Sequence, residues 1–65
     1  MVRARVEVEA SWQAKLQAVA AGQTARAEED CGSGSLARTL WATTEPPAGV
    51  HVEVEQERLI ATRAP

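Results

Sequence analysis

The sequence contains no phenylalanine or tyrosine, and it has only one cysteine and one histidine among its 65 residues. A lone cysteine cannot form a disulfide within the chain. Cys31 and His51 together supply too few ligands for a structural zinc site. No stretch approaches the ~18 continuous apolar residues of a membrane span. We therefore predict no metal site, no cofactor and no membrane-spanning segment.

Charge of one sign is also lacking. Seven Lys and Arg residues are set against nine Asp and Glu residues, which gives a formal net charge of −2. This acidic balance argues against a general nucleic-acid binder, because phosphate neutralisation needs a positive surface. The N-terminal residues alternate charge with Val and Ala, unlike a signal peptide, so we expect a cytoplasmic location.

Large apolar side chains are scarce. Leu, Ile and Val together contribute 12 of 65 residues, and alanine supplies much of the remaining hydrophobic content. The length allows one small domain over residues 1–65. Because a core of small side chains is shallow, we expect a homodimer or a larger host complex to complete it.

Residues 2–10 alternate between apolar and charged side chains. Val6 and Val8 share one side with Val2, Ala4 and Ala10, whereas Arg3, Arg5, Glu7 and Glu9 share the other. A period of two over nine residues predicts a first strand with one solvent-exposed face.

A first helix is predicted from Trp12, with Ser11 as its N-cap. Trp12, Leu16, Val19 and Ala20 recur at helical spacing. Gly22 is suited to end the helix, but the composition of residues 23–29 also favours its continuation, and both alternatives stay open.

Residues 30–35 are predicted as a flexible Gly/Ser loop, followed by a second helix from Leu36 to about Thr43 with Ser35 as its N-cap. Residues 45–49 are predicted as a stiff Pro-rich turn. The helical stripe between these segments consists of Leu36, Ala37, Leu40 and Trp41.

Val50 to Glu55 alternates again, and residues 58–63 are predicted to return as a third strand. A two-residue tip at Gln56 and Glu57 places Glu55 opposite Arg58. The predicted fold class is therefore α+β in the order β-α-α-β-β, with two short helices on one face of a three-stranded, mainly antiparallel sheet.

The predicted function is that of a small non-catalytic interaction module or accessory subunit. Tryptophan is enriched in protein interfaces, and an exposed strand edge can recruit a partner strand. The first or third strand is the candidate edge. The interface candidates are Trp12, Leu16, Trp41, Val6 and Val8.

Three features invite other interpretations. Cys31 precedes a helix start, where a thiol can be acidified, although it also fits an ordinary loop cysteine. The Gly32–Ser35 tract could present backbone N–H groups to an anion or could serve as a capped linker. His51 lies near Glu53 and suits either acid–base chemistry or an exposed structural position.

Arg3 and Arg5 are candidates for nucleic-acid contact through the first strand, in the manner of ribbon-helix-helix proteins. The glycine-rich break and the later hairpin do not suit that fold. Glu7 and Glu9 would lie on the same strand face and repel phosphate.

The run LARTLWATTEPPAGVHVEVEQERLIATR, residues 36–63, resembles part of the small dimer-forming subunit of the KEOPS tRNA-modification complex. That family pairs a helix with a following β-hairpin, and its opening strand resembles residues 2–10. The family's long C-terminal helix has no counterpart here, and no signature residue carries over. The resemblance implies at most a dimerising accessory role.

Overall fold

The computed structural model describes residues 3–65 and contains two helices and three strands in the order α-β-α-β-β. Their bounds are α1 Arg5–Ala20, β1 Arg26–Asp30, α2 Gly34–Thr43, β2 Val50–Glu55 and β3 Arg58–Arg63. The predicted α+β class, with two helices and a three-stranded antiparallel sheet, is confirmed, but the predicted order of elements is not.

Helix α1 replaces the strand predicted for residues 2–10, as far as these lie in the described part of the chain. Val8, Trp12, Leu16 and Val19 form one continuous buried stripe at helical spacing. The buried stripe already includes Val8, so burial at helical spacing overrides the period-two pattern of residues 4–10. Arg5 and Glu9, four residues apart, form an ion pair of 2.6 Å on the exposed side of the helix.

The ends of α1 differ from the prediction at one terminus only. The helix begins at Arg5, so Ser11 is an internal residue and not an N-cap. Gly22 does end the helix, with φ of +78°. The N–H groups of Gly22 and Gln23 bond to the carbonyls of Val19 and Ala18, which is a Schellman ending.

Strand β1 occupies part of the segment for which a helical continuation was left open. Its residues pair antiparallel with β3, from Arg26 opposite Thr62 to Asp30 opposite Arg58. The helix-favouring composition of this segment is overridden by sheet pairing. The sheet order is β1-β3-β2, so the last strand of the chain lies at the centre of the sheet.

Helix α2 begins two residues earlier than predicted. Ser33 is the N-cap, and its Oγ accepts a hydrogen bond of 3.1 Å from the N–H of Leu36. Gly34 and Ser35 are therefore helical, although the sequence predicted them within a loop. The predicted cap at Ser35 is wrong because Ser33 adopts the extended backbone that an N-cap requires.

The β2–β3 hairpin has the predicted register. Glu55 lies opposite Arg58 and Val54 lies opposite Leu59, with Gln56 and Glu57 at the tip. Both helices pack on the same face of the sheet, over Leu59 and Ala61. The core consists of Val8, Trp12, Leu16, Val19, Cys31, Ala37, Leu40, Val50, Leu59 and Ala61.

Candidate interaction surface

Strand β2 forms one edge of the sheet, because it pairs only with β3. The N–H of Ala64 bonds to the carbonyl of Gly49, which shows which residues of β2 turn their backbone groups toward β3. By the alternation of an antiparallel ladder, these are His51, Glu53 and Glu55, whereas Val50, Val52 and Val54 turn theirs outward. The open edge is therefore made by three valines.

The outward backbone groups of β2 are almost entirely unused. Val50 donates its N–H to the carbonyl of Pro47 at 3.1 Å. Among residues 3–65, the N–H and carbonyl groups of Val52 and Val54 that face this edge have no hydrogen-bond partner. Such a row of free donors and acceptors is a template for another strand.

Trp41 lies beside this edge. Leu40, Thr43 and Thr44 line the groove between the helices. Successive residues of a helix are rotated by about 100°, so Trp41 and Thr43 lie on opposite flanks of α2. Because Thr43 faces α1, Trp41 faces away from α1. Since α2 packs over β2 and β3 whereas α1 packs mainly over β1 and β3, that flank lies on the same side of the molecule as the open edge. Trp41 is 50% exposed, which is unusual for the largest apolar side chain.

The other edge, β1, is partly occupied by side chains from neighbouring segments. Arg26 and Glu28 direct their carbonyls outward, since Ala25 bonds to Arg63 of β3. Thr24 Oγ1 donates to the Arg26 carbonyl at 2.9 Å, and Lys15 Nζ donates to the Glu28 carbonyl at 2.8 Å. Two of the acceptors that a partner strand would need are thus already bonded.

Glu29 points from β1 toward α1 and is completely buried. Its carboxylate accepts hydrogen bonds of 2.6 Å from Ser11 Oγ and from Arg3 Nη1, and lies 3.0 Å from Lys15 Nζ. Burial by itself raises the pKa of Glu29, but these three partners outweigh it and hold the pKa below its ordinary value of 4.5. The cluster ties the N-terminal part of α1 to β1.

The five interface candidates from the sequence separate into two groups. Val8, Trp12 and Leu16 are buried in the core, so they form the fold and are not surface residues. Val6 is 70% exposed and lines the groove between the helices, which has a volume of about 460 Å³. Trp41 is the exposed candidate at the sheet edge.

Trp12 is buried with its indole N–H unpaired, because Nε1 has no hydrogen-bond partner among the described residues. Burying a donor without an acceptor costs on the order of 1–3 kcal/mol. Trp12 nevertheless stays inside, since it is the largest side chain in a core that is otherwise small.

Arg3 and Arg5 do not share a strand face. Arg3 is bonded to the buried Glu29, and Arg5 is paired with Glu9 along α1. The strand that would have presented both to nucleic acid is helical from Arg5 onward. Their candidacy therefore loses the geometry on which it depended.

Cys31 is buried at the end of β1, 5% exposed. Burial, together with the neighbouring Glu29 and Asp30 carboxylates, raises the pKa of the Cys31 thiol above its ordinary value of 9.0. A thiol in this setting is a poor nucleophile near neutral pH, because the thiolate is the reactive form.

His51 and Glu53 meet as the sequence suggested, with 3.1 Å between Nε2 and Oε1. Both side chains are more than half exposed on the sheet face away from the helices. The pair lies on an open strand and not in a cleft, which gives it no means of excluding water from a substrate.

Metal and membrane sites can be assessed for the described part of the chain. Within residues 3–65, no group of three or more His, Cys, Asp or Glu side chains is arranged to hold a metal ion. None of the described helices has both the length and the apolar character to cross a bilayer. The open β2 edge is the strongest candidate site. The candidate edge expected from the sequence was the first or third strand instead, but β3 is central, and Trp41 was named only as an interface candidate without a place at β2.

Comparison with known proteins adds no relative to this description. No family model, no curated protein and no solved structure matches the chain.

Proposed function

We propose that this protein is a small, non-catalytic interaction module or accessory subunit that binds another polypeptide through the β2 edge. One arrangement carries the proposal: Val52 and Val54 have free outward backbone groups, and α2, which packs over β2, carries the half-exposed Trp41 on its flank away from α1. Addition of a strand to such an edge provides main-chain hydrogen bonds, and side-chain contacts add affinity.

Trp41 supplies the apolar part of the surface. A tryptophan side chain covers roughly 200 Å² when it is buried, so a half-exposed one still presents about 100 Å². Covering that area contributes about 2.5 kcal/mol before the costs of association are subtracted. An added strand that brings apolar side chains to the helical side of the sheet would meet this surface.

The other predicted functions have less support. Catalysis by Cys31 is disfavoured by its burial and raised pKa. Nucleic-acid binding is disfavoured by the ion pairs of Arg3 and Arg5. An accessory role in tRNA modification and a cytoplasmic location stay predictions, the former based on the resemblance of residues 36–63.

A short alternating peptide tests whether the β2 edge accepts a strand. The probe is a blocked six-residue peptide of alternating valine and lysine, whose lysines would lie near Glu53 and Glu55. Titration is followed by tryptophan fluorescence. We expect the emission to shift to shorter wavelength as the peptide covers Trp41, and the shift to vanish in Trp41→Phe.

Matched proline variants locate the binding edge. Val52→Pro removes an outward N–H at the β2 edge, and Glu28→Pro removes an outward N–H at the β1 edge, neither of which bonds to β3. We expect Val52→Pro to weaken peptide binding about ten-fold or more, and Glu28→Pro to change it by less than about two-fold.

A second variant, Trp41→Ser, keeps the test informative if Val52→Pro does not fold. Trp41→Ser should unfold cooperatively, because the side chain is half exposed. It should also bind the peptide more weakly, as measured by titration calorimetry, since this variant lacks the fluorescent reporter. Peptide binding unchanged in both Val52→Pro and Trp41→Ser, or absent from the wild-type protein at dilutions where it is monomeric, would contradict the proposed function.

A further inference from the structure

The β2 strand is chemically suited to pair with itself. The residues whose backbone groups face the open edge are Val50, Val52 and Val54. The exposed face of the strand carries the basic residue His51 and the acidic residues Glu53 and Glu55. In an antiparallel pair, outward residues must lie opposite outward residues for hydrogen bonds to form. Only registers that match valine with valine satisfy this condition.

One such register places Val52 opposite Val52 of the second copy. Two hydrogen bonds then form between the central valines. Val54 of each copy can donate its N–H to the Val50 carbonyl of the other. None of these four bonds requires the Val50 N–H, which the Pro47 carbonyl already occupies.

The same register makes the two strands electrostatically complementary. His51 lies opposite Glu53 of the second copy, and this pairing occurs twice by symmetry. Both are non-hydrogen-bonded positions, where facing side chains approach most closely. Opposite charges at facing positions stabilise a sheet.

The neighbouring register is less favourable. If Val52 faced Val54 of the second copy, Glu53 would face its own equivalent at the symmetry axis. Like charges directly opposite each other destabilise an antiparallel pair. Charge complementarity therefore favours the register centred on Val52 over this one.

Symmetry also brings the two tryptophans together. The axis through the Val52 pair is perpendicular to the sheet, so both copies keep their helices on the same face of a six-stranded sheet. Trp41 lies on the β2 side of each copy and thus flanks the new junction from both sides. The exposed half of each indole is covered by the association.

From these relations we propose that the occupant of the β2 edge is a second copy of this chain, joined antiparallel through β2 with Val52 on the two-fold axis. The inference rests on the proposed function, because it names the partner and register of the same edge. Self-pairing accounts for the free valine groups, the His51–Glu53 charges and Trp41 together.

Charge variants measured by sedimentation equilibrium, at low ionic strength and about pH 6, test the register. We expect His51→Glu to weaken the dimer about five-fold and Glu53→Gln to weaken it about two- to five-fold, since two cross-strand pairs change at once. The double variant His51→Glu/Glu53→His exchanges the partners and should restore the dimer to within about two-fold. Glu28→Gln, on the other edge, is the matched control and should have no effect.

The outcomes separate this inference from the proposed function. Tighter association of Glu53→Gln, or no rescue by the double exchange, overturns the register while edge docking stands. A wild-type monomer that still binds the peptide overturns the second copy as partner and leaves the docking edge. Self-association that survives in Val52→Pro, with no peptide binding, overturns both.

Discussion

The two edge strands of the sheet differ in what happens to the backbone groups that do not pair with β3. At β1, the inward Glu29 is bonded to α1, and Lys15 and Thr24 occupy outward carbonyls of the strand. At β2, the side chains that point toward the helices are valines. The backbone N–H and carbonyl groups of Val52 and Val54 that face away from β3 are free. Inward-pointing charge and lysine are established means of protecting an edge. β1 is thus partly closed within the chain, whereas β2 stays open among the described residues.

The two edges also differ in whether they affect folding stability or association. The β1 edge is held by charged and polar groups that specify where α1 lies on the sheet. Helix α2 packs over the face of β2 but leaves its edge open, and the flank of α2 away from α1 exposes Trp41. Changes to the β1 cluster should therefore alter folding stability, and changes to the β2 edge should alter association.

The largest expected effect is at the closed edge. In the double variant Arg3→Met/Lys15→Met, the buried Glu29 carboxylate keeps only Ser11 as a partner. Leaving a buried charge without its ionic partners should destabilise the fold by about 3–5 kcal/mol, measured by urea denaturation. Arg5→Met, which removes only an exposed pair with Glu9, should cost less than about 1 kcal/mol. Equal losses in both variants would mean that Glu29 does not hold α1 on β1.

The pH dependence of stability is the second prediction, again for the closed edge. Because the folded pKa of Glu29 is held below 4.5, its contribution is fully present above that pH and is lost as the pH falls through the folded pKa. Thermal melts of the wild type and Glu29→Gln, compared between about pH 7 and pH 2, should converge at low pH. A difference between the two that stays constant with pH would contradict the role of the ionised carboxylate.

The helix over the open edge provides a smaller test. Ser33→Ala removes the side-chain cap of α2 and should cost about 1 kcal/mol. Ser35→Ala, two residues later, should cost no more than a few tenths, because its side chain does not cap the helix. A larger loss in Ser35→Ala would instead support the boundary predicted from the sequence.

The smallest expected effect concerns the hairpin tip beside the open edge. Gln56 adopts a φ of +56°, which is unfavourable for a residue with a Cβ. Gln56→Gly should stabilise the fold by about 0.5–1 kcal/mol, because glycine reaches that conformation without strain. Glu57→Gly, at the neighbouring tip position, is the control and should not stabilise. The two variants can be compared in one series of urea melts.

The hairpin could be predicted because its local signals agree. Val50, Val52 and Val54 alternate with polar residues, and the two-residue tip at Gln56 and Glu57 fixes the register. Helix α2 could be predicted too, although its first residues and its cap differ, and Trp41 of the predicted stripe is half exposed. Where all local signals favour the same structure, the sequence is sufficient to predict it.

The N-terminal half carries competing patterns. Residues 4–10 alternate as a strand would, yet Val8 continues the buried stripe of Trp12 and Leu16. β1 shows no alternation of apolar residues, because its inward positions are Ala27 and Glu29. A buried glutamate is satisfied only by Arg3, Ser11 and Lys15 on another element, and no local rule predicts that contact.

The position of the open edge is a property of strand order, which local patterns do not state. One signal was available: β3 is the strand with consecutive buried residues, Leu59, Ile60 and Ala61. A strand that is apolar on both faces is typical of the centre of a sheet. That signal would have left β2 at an edge and would have directed attention to Trp41 above it.

Sedimentation equilibrium of the wild type, Val52→Pro and Glu28→Pro across a dilution series tests the central claim most directly. The interface is small, so we expect the wild-type dimer to dissociate on dilution with a Kd on the order of micromolar or weaker. Glu28→Pro should give the same curve, and Val52→Pro should be monomeric throughout. A Val52→Pro protein that dimerises as tightly as the wild type would contradict the account.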